Sequence, residues 1–162
     1  MGFDMKVVYH NRSRLAPDLE ARANEAVYLS KEDVLRQADH VVLVLPYSAA
    51  THHTIAAAEL ALMKPSAILV NIARGGIVDD AALIAALREQ RIAGAGLDVF
   101  EAEPAFNPEF LGLSNVVLTP HIASASTPTR RAMTHCAAGN LIAALAGQLP
   151  PNCLNPQVHS KG

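Results

Sequence analysis

Short apolar runs without in–out alternation recur along this chain, and longer stretches rich in Ala and Leu separate most of them. Residues 5–10, 40–45 (HVVLVL, closed by Pro46), 67–72, 95–99 and 116–118 read as strands. The intervening stretches have helical period. One helix is predicted over 30–37, with Ser30 as N-cap and Asp33 closing a capping box. A short helix is predicted near 56–63, and another is capped by Asp79 and reaches Gln90. The last opens at Thr127-Pro128, a polar cap with Pro at the first helical position, and runs to about Gly147. Pro150-Pro151 then forces an extended tail. Strands that are apolar on both sides belong to a parallel sheet covered on both faces, so the predicted fold is doubly wound α/β.

At 162 residues the chain has room for one globular domain. Its core must be aliphatic, because Trp is absent and aromatics are only 4%. A formal net charge of -2, with no basic stripe, argues against nucleic acid or an anionic membrane as partner. No apolar run is long enough to span a bilayer, and the first residues have no signal-peptide pattern. Cys136 and Cys153 are too few for a disulfide framework and read as free thiols, Cys136 as a small core residue, in a reducing, cytoplasmic setting. His52 and His53 are adjacent but have no Cys or third His nearby, a poor zinc pattern, so no metal is expected.

In sheets of this class ligands sit beyond the carboxyl ends of the strands. The run 67–72 leads into Ala73-Arg74-Gly75-Gly76, which places a guanidinium able to hold a carboxylate by two parallel hydrogen bonds, with backbone freedom around it. Taken alone, a surface arginine pairing with Asp79 or Asp80 is the commoner outcome. The run 95–99 ends among Asp98, Glu101 and Glu103, the last fixed by Pro104. The run 116–118 ends in Thr119-Pro120-His121. A Glu beside a His favours the protonated imidazole and fixes its tautomer, as a general acid requires. Arg, Glu and His on three strand ends of one sheet outweigh any one of them alone.

The segments NIARGGIVDDAALIAAL, AGAGLDVFEAEP and NVVLTPHIASAS, with LPYSAATHHTI and NCLNPQV, resemble the D-isomer-specific 2-hydroxyacid dehydrogenase family along nearly the whole chain. The likeness is greatest to its glyoxylate/hydroxypyruvate reductases and 2-ketogluconate reductases. It implies that Arg74 binds the substrate carboxylate, that Glu103 is the carboxylate partner and that His121 is the acid/base. The implied reaction is NAD(P)H-dependent reduction of a small 2-keto acid to a D-2-hydroxy acid. A Glu at position 103 argues against a formate dehydrogenase. Pro46, Thr51, Ile72, Asp98 and Ser124 are implied cofactor contacts, and Asn11, Arg12 and Ser13 follow the strand whose end meets the adenine ribose. No acidic residue stands there to hold a 2′-hydroxyl, and Arg12 with Ser13 suits a 2′-phosphate, so NADP(H) is favoured over NAD(H). A homodimer is also implied. The stretch Ile122-Ala-Ser-Ala-Ser126 departs from the commoner Ile-Gly-Ser-Ala-Thr.

The resemblance further implies a strand, a G-x-G-x-x-G loop and a helix ahead of residue 5, and residues 1–5 look like the end of that helix. Gly94-Ala95-Gly96 lacks the third glycine and precedes a strand. The expected architecture is therefore an incomplete Rossmann-type sheet lacking its first strand and Gly-rich loop. Residues 1–147 would form a partial NAD(P)-binding domain and 148–162 a tail returning to a substrate domain. Such a truncated chain is expected to bind dinucleotide poorly by itself. Two further readings stand beside the reductase: a non-catalytic association module that keeps the fold, and a dehydrogenase acting on phosphoglycerate.

Overall fold

The computed structural model describes residues 3–157, which divide into two compact units, one ending at Pro120 and one beginning at His121. In the first, β1 (Val8–Tyr9) and β2 (Val27–Tyr28) pair in parallel and are joined through α1 (Pro17–Arg22). Next come α2 (Lys31–Gln37), β3 (His40–Leu43), α3 (Ala57–Leu60), β4 (Ile68–Asn71), α4 (Asp80–Arg88), β5 (Gly94–Leu97), a 3-10 turn (Pro108–Gly112) and β6 (Val116–Leu118). The second unit contains α5 (Thr127–Leu145). No described helix is long and apolar enough to cross a membrane.

Strands β3 to β6 form one parallel sheet in chain order. Its register sorts the side chains into two sets of rows. Val41, Leu69 and Ala95 align in one row, and Leu43, Asn71 and Leu97 in another. All six are buried, and their apolar members share a core with Leu35, Leu60, Leu83, Leu87 and Phe110. The alternate row, Val42, Val70, Gly96 and Val117, belongs to the opposite face, where Val42 is 51% and Val117 69% exposed. A complete doubly wound sheet is covered on both faces; here one is covered and the other open, as the expected incomplete sheet implies. The reason is topological: right-handed crossovers between strands that advance in one direction all fall on one side of the sheet. Cover on the other side requires the strand order to reverse.

Local chemistry explains the boundaries. The Ser30 hydroxyl accepts the Asp33 N–H and donates to the Asp33 carboxylate, so the cap closes on the side chain and not on the Ser30 backbone as a capping box would. The Asp79 carboxylate accepts the Ala82 N–H, and Gln90, at φ 54°, lies beyond the end of α4. The helix expected over 56–63 lasts one turn, because Leu62 and Met63 already bond back three residues ahead of Pro65. The strand expected over 5–10 contracts to two residues, since β1 has a partner on one side only, and residues 3–7 carry no helix; Met1 and Gly2 lie outside the described residues. Neither α1 nor β2 was expected. Strand β5 begins at Gly94, where a Cβ would come within 2.8 Å of the Asn115 carbonyl; this glycine serves strand packing. The N-cap of α5 is Ser126, one residue before the expected Thr127. Because α5 buries none of its residues, Cys136 is exposed, with Sγ 3.3 Å from Asn152 Oδ1, and is not a core residue. The tail expected over 148–162 has no helix or strand among its residues 148–155, and residues 158–162 lie outside the described residues.

One ionic contact ties α1 to the loop after β1. Glu20 accepts two hydrogen bonds from the Arg14 guanidinium, both 2.9 Å, and one from the Tyr9 hydroxyl at 2.6 Å. The Arg14 bonds first, and the Tyr9 bond second, hold the Glu20 carboxyl down at about 2 from an ordinary 4.5. A carboxyl depressed in the folded state contributes stability that is present above its unfolded value and lost below it. The thermal midpoint is therefore expected to fall as pH drops from 4.5 toward 2, and Arg14→Ala to flatten that limb; an identical acid limb in the variant would contradict this.

The turn after β4 sets the position of its neighbours. Gly75 lies so close to the Phe100 carbonyl that a Cβ there would overlap it. Backbone cannot retreat as a long side chain can, so Gly75→Ala is expected to cost about 3 kcal/mol or more in chemical denaturation. A change within roughly 0.5 kcal/mol, the range of ordinary surface substitutions, would show that the turn moves freely.

Candidate active site at the strand ends

Strand β4 ends at Asn71, a residue the sequence reading did not single out. Its buried side chain accepts the Ala73 N–H at 3.1 Å and donates to the Arg74 carbonyl at 3.2 Å, which curls the chain through residues 71–74. Arg74 is exposed, and its guanidinium donates to the Ala73 carbonyl at 2.6 Å. Among the described residues no ion pair joins it to Asp79 or Asp80. Those carboxylates face elsewhere: Asp79 lies 3.9 Å from His53, and Asp80 accepts the Glu101 N–H at 3.2 Å. Among the described residues the Arg74 guanidinium is thus bonded to its own turn through the Ala73 carbonyl and paired with no carboxylate.

Strand β5 delivers the second turn. Glu103 accepts the Phe100 N–H at 2.8 Å, so its carboxylate is fixed against the start of its own loop. Gly75 meets that loop at Phe100 and Glu101, and the turns bearing Arg74 and Glu103 are therefore in backbone contact. The sequence reading took the glycine pair as conformational freedom. Gly76, at φ 76°, fits that reason, but Gly75 is required by close approach. Asp98 is buried at the end of β5 and accepts the Thr119 hydroxyl at 2.6 Å, which links the ends of β5 and β6.

Two residues after Thr119, His121 opens the second unit with φ 52°, a conformation uncommon outside glycine. Ser124 lies in the turn that follows. Arg74 and Glu103 thus belong to the first unit, and His121 and Ser124 to the second.

The other expected cofactor contacts fall at three places. Ile72, 49% exposed, follows β4 directly. Thr51 donates its hydroxyl to the Pro46 carbonyl at 2.9 Å and accepts the Ser48 N–H at 2.7 Å, so this loop after β3 is rigidly turned. Asn11, Arg12 and Ser13 follow β1 and are exposed; the Asn11 side chain accepts the Arg12 N–H, and its carbonyl accepts the Tyr28 hydroxyl. Arg14 is committed to Glu20, whereas the Arg12 guanidinium enters no ion pair among the described residues.

A second polar cluster, absent from the sequence reading, braces the loop after β5. His53 Nε2 lies 2.6 Å from Glu101 Oε1. That bond raises the imidazole above its ordinary value despite partial burial, with Glu101, Asp79 and Asp80 adding charge. Burial first, then the neighbouring Glu101 and Asp79 charges, push Asp80 up to about 6, against the Glu101 N–H it accepts. No spacing along the chain announces this group, because its members come from three separate loops.

Comparison with known proteins identifies the family. A family model described as the D-isomer specific 2-hydroxyacid dehydrogenase, NAD binding domain, matches residues 1–123. A glyoxylate reductase of Thermococcus gammatolerans is 49% identical over 157 residues, which are 97% of this chain and 46% of the relative. A solved glyoxylate reductase from Paecilomyes thermophila superposes with a TM-score of 0.81 at 39% identity, covering 91% of this chain and 44% of the other. An NADPH-dependent glyoxylate/hydroxypyruvate reductase from Sinorhizobium meliloti, solved with NADP and malonate, gives a TM-score of 0.79 at 36% identity, over 88% and 43%. The chain spans about half the length of the curated relatives it matches. With a parallel sheet of this order, an arginine turn and a glutamate turn in contact at its carboxyl ends, and a family match over residues 1–123, the chain belongs to the D-isomer-specific 2-hydroxyacid dehydrogenases and carries their NAD-binding domain.

Proposed function

We propose that this chain supplies the cofactor-binding and catalytic part of a reductase that converts a small 2-keto acid, of the glyoxylate or hydroxypyruvate type, to its D-2-hydroxy acid. The observation that carries the reading is the backbone contact between the Arg74 and Glu103 turns, with His121 three residues past the end of the adjoining β6. Arg74 holds the keto-acid carboxylate through two parallel hydrogen bonds and draws density from the carbonyl. A reduced nicotinamide, when bound, supplies the hydride to the keto carbon. His121 gives a proton to the developing alkoxide, and Glu103 orients the imidazole for that transfer. Asp98 and Thr119 keep the ends of β5 and β6 together, and so hold the floor of the site.

The residues present fit a dinucleotide. Arg12 is exposed and unpaired among the described residues, Ser13 follows it, and no carboxylate stands at positions 11–13 to repel a 2′-phosphate. NADP(H) is the cofactor this favours, in keeping with the NADP held by the relative from Sinorhizobium meliloti. Pro46, Thr51 and Ile72 of the first unit and Ser124 of the second are the remaining cofactor contacts that the resemblance implies.

Turnover of glyoxylate or hydroxypyruvate with NADPH, measured in a full-length relative that carries these residues, tests the assignment. His121→Ala should lower kcat by about a thousandfold with cofactor affinity unchanged. Arg74→Lys should raise KM and reduce kcat, because an ammonium cannot make the two-pronged contact. Arg12→Ala should weaken NADPH about tenfold or more and leave NADH nearly untouched. Equal rates in all three variants and the parent would refute the reading.

Association has its own support. Met133, Leu141, Ile142 and Leu145 of α5 are 52 to 79% exposed, an apolar set that a solitary chain leaves in water. A homodimer joined through α5 is the form this favours, and it accommodates either the enzyme or a non-catalytic association module. Sedimentation velocity should give a dimer for the parent chain and a monomer for Ile142→Asp/Leu145→Asp; a monomeric parent would exclude α5 as a dimer contact.

A further inference from the structure

The loop after β3, the start of α4 and the loop after β5 meet at a cluster that the proposed reaction does not use. His52 and His53 each offer one ring nitrogen and Glu101 one carboxylate oxygen, and these three atoms lie within 4.8 Å of one another. The spacing of the sequence gave the histidine pair no third ligand; the fold supplies one from 48 residues away. We propose that His52, His53 and Glu101 form a binding site for a divalent transition-metal ion, zinc above all, with a fourth position open to water.

The donor set is the first reason. Two imidazoles and a carboxylate suit zinc, which takes three protein ligands and one open position outside purely structural sites. The groups behind the ligands are the second. A metal-bound histidine commonly gives its other ring N–H to a carboxylate. Here His53 presents Nε2 to Glu101 at 2.6 Å, and its Nδ1 has the Asp79 carboxylate 3.9 Å away, a charge contact longer than a hydrogen bond. The His52 Nδ1 is 3.2 Å from the Tyr47 hydroxyl, which leaves Nε2 for the ion. Asp80, hydrogen-bonded to the Glu101 backbone, adds negative charge next to the site.

Access and fit are the third reason. His52 is exposed, and His53 and Glu101 are half-buried, so an ion can enter from solvent. The two rings stack at 3.8 Å with planes 22° apart. The present hydrogen bond between His53 and Glu101 is 2.6 Å, and zinc with ligands near 2.0–2.2 Å would open that separation to roughly 3.3 Å. Exposed His52 turns about its side-chain bonds to complete the set. The entering ion replaces the proton shared by His53 and Glu101, which leaves to the buffer.

Calorimetric titration of zinc chloride into the purified chain tests this without any turnover, so its outcome is separate from that of the reductase reading. One ion per chain at micromolar affinity is expected, weakened at least tenfold in His52→Ala and in Glu101→Gln. The Cys136→Ser/Cys153→Ser double variant should bind as the parent does, which separates this site from the free thiols. His52 is exposed, so its variant keeps the fold and remains decisive if Glu101→Gln loosens the loop. Cobalt in place of zinc should give the intense visible absorption of a four-coordinate site, lost in His52→Ala. Absence of binding below millimolar zinc, or binding that survives His52→Ala but vanishes with the cysteines, overturns the proposal.

Discussion

Where Gly75 passes the Phe100 carbonyl there is no room for a single extra carbon, and the position of the Arg74 and Glu103 turns, to which we assign the proposed function, follows from that contact. Arg74 precedes the contact and Glu103 follows it by three residues, so neither turn can shift without the other. Buried Asn71 fixes the chain before Arg74, and the Phe100 N–H fixes the Glu103 carboxylate. A guanidinium and a carboxylate held on backbone contacts need little reorganisation when a substrate arrives, which is the condition for efficient electrostatic catalysis. His53, Asp79 and Asp80 brace the same loop from its far side through Glu101.

Strand order governs the rest. Four strands that advance in one direction send every connection over the same face, and the core forms there alone. The other face carries the row from Val42 to Val117 in the open. Strands β1 and β3 begin separate sheets, each with an unpaired edge. These features and the exposed apolar residues of α5 describe a chain whose apolar surface exceeds what its own helices cover.

Much of this was legible in the sequence. The unbroken apolar run of β3 and the β-branched run of β6 gave their strands away, and Asp79 and Ser30 marked helix starts through a side chain's reach to backbone N–H groups. The family resemblance rested on three ordered segments, and the match over residues 1–123 agrees with it. What escaped was nonlocal. Strand β2 has two residues, too few for any period to register, and Asn71 acts through buried hydrogen bonds that no spacing rule encodes. The His52, His53 and Glu101 group exists only once loops far apart in the chain have met. An exposed sheet face is what the incomplete sheet implies, although a run of apolar residues does not by itself say which face a helix arrives to cover. Cys136 is misplaced because alanine neighbours on a helix do not show which side, if any, is buried.

The central proposal is that the Arg74 and Glu103 turns, held in contact where Gly75 meets Phe100, act on one small carboxylate. Amide NMR of the chain titrated with oxamate tests it most directly. The account expects resonances of Ala73, Gly75, Gly76 and Phe100 to shift together along one saturation curve, and to stay still in Arg74→Ala. Shifts that follow different curves at these positions, or that persist without the Arg74 guanidinium, would contradict a shared site.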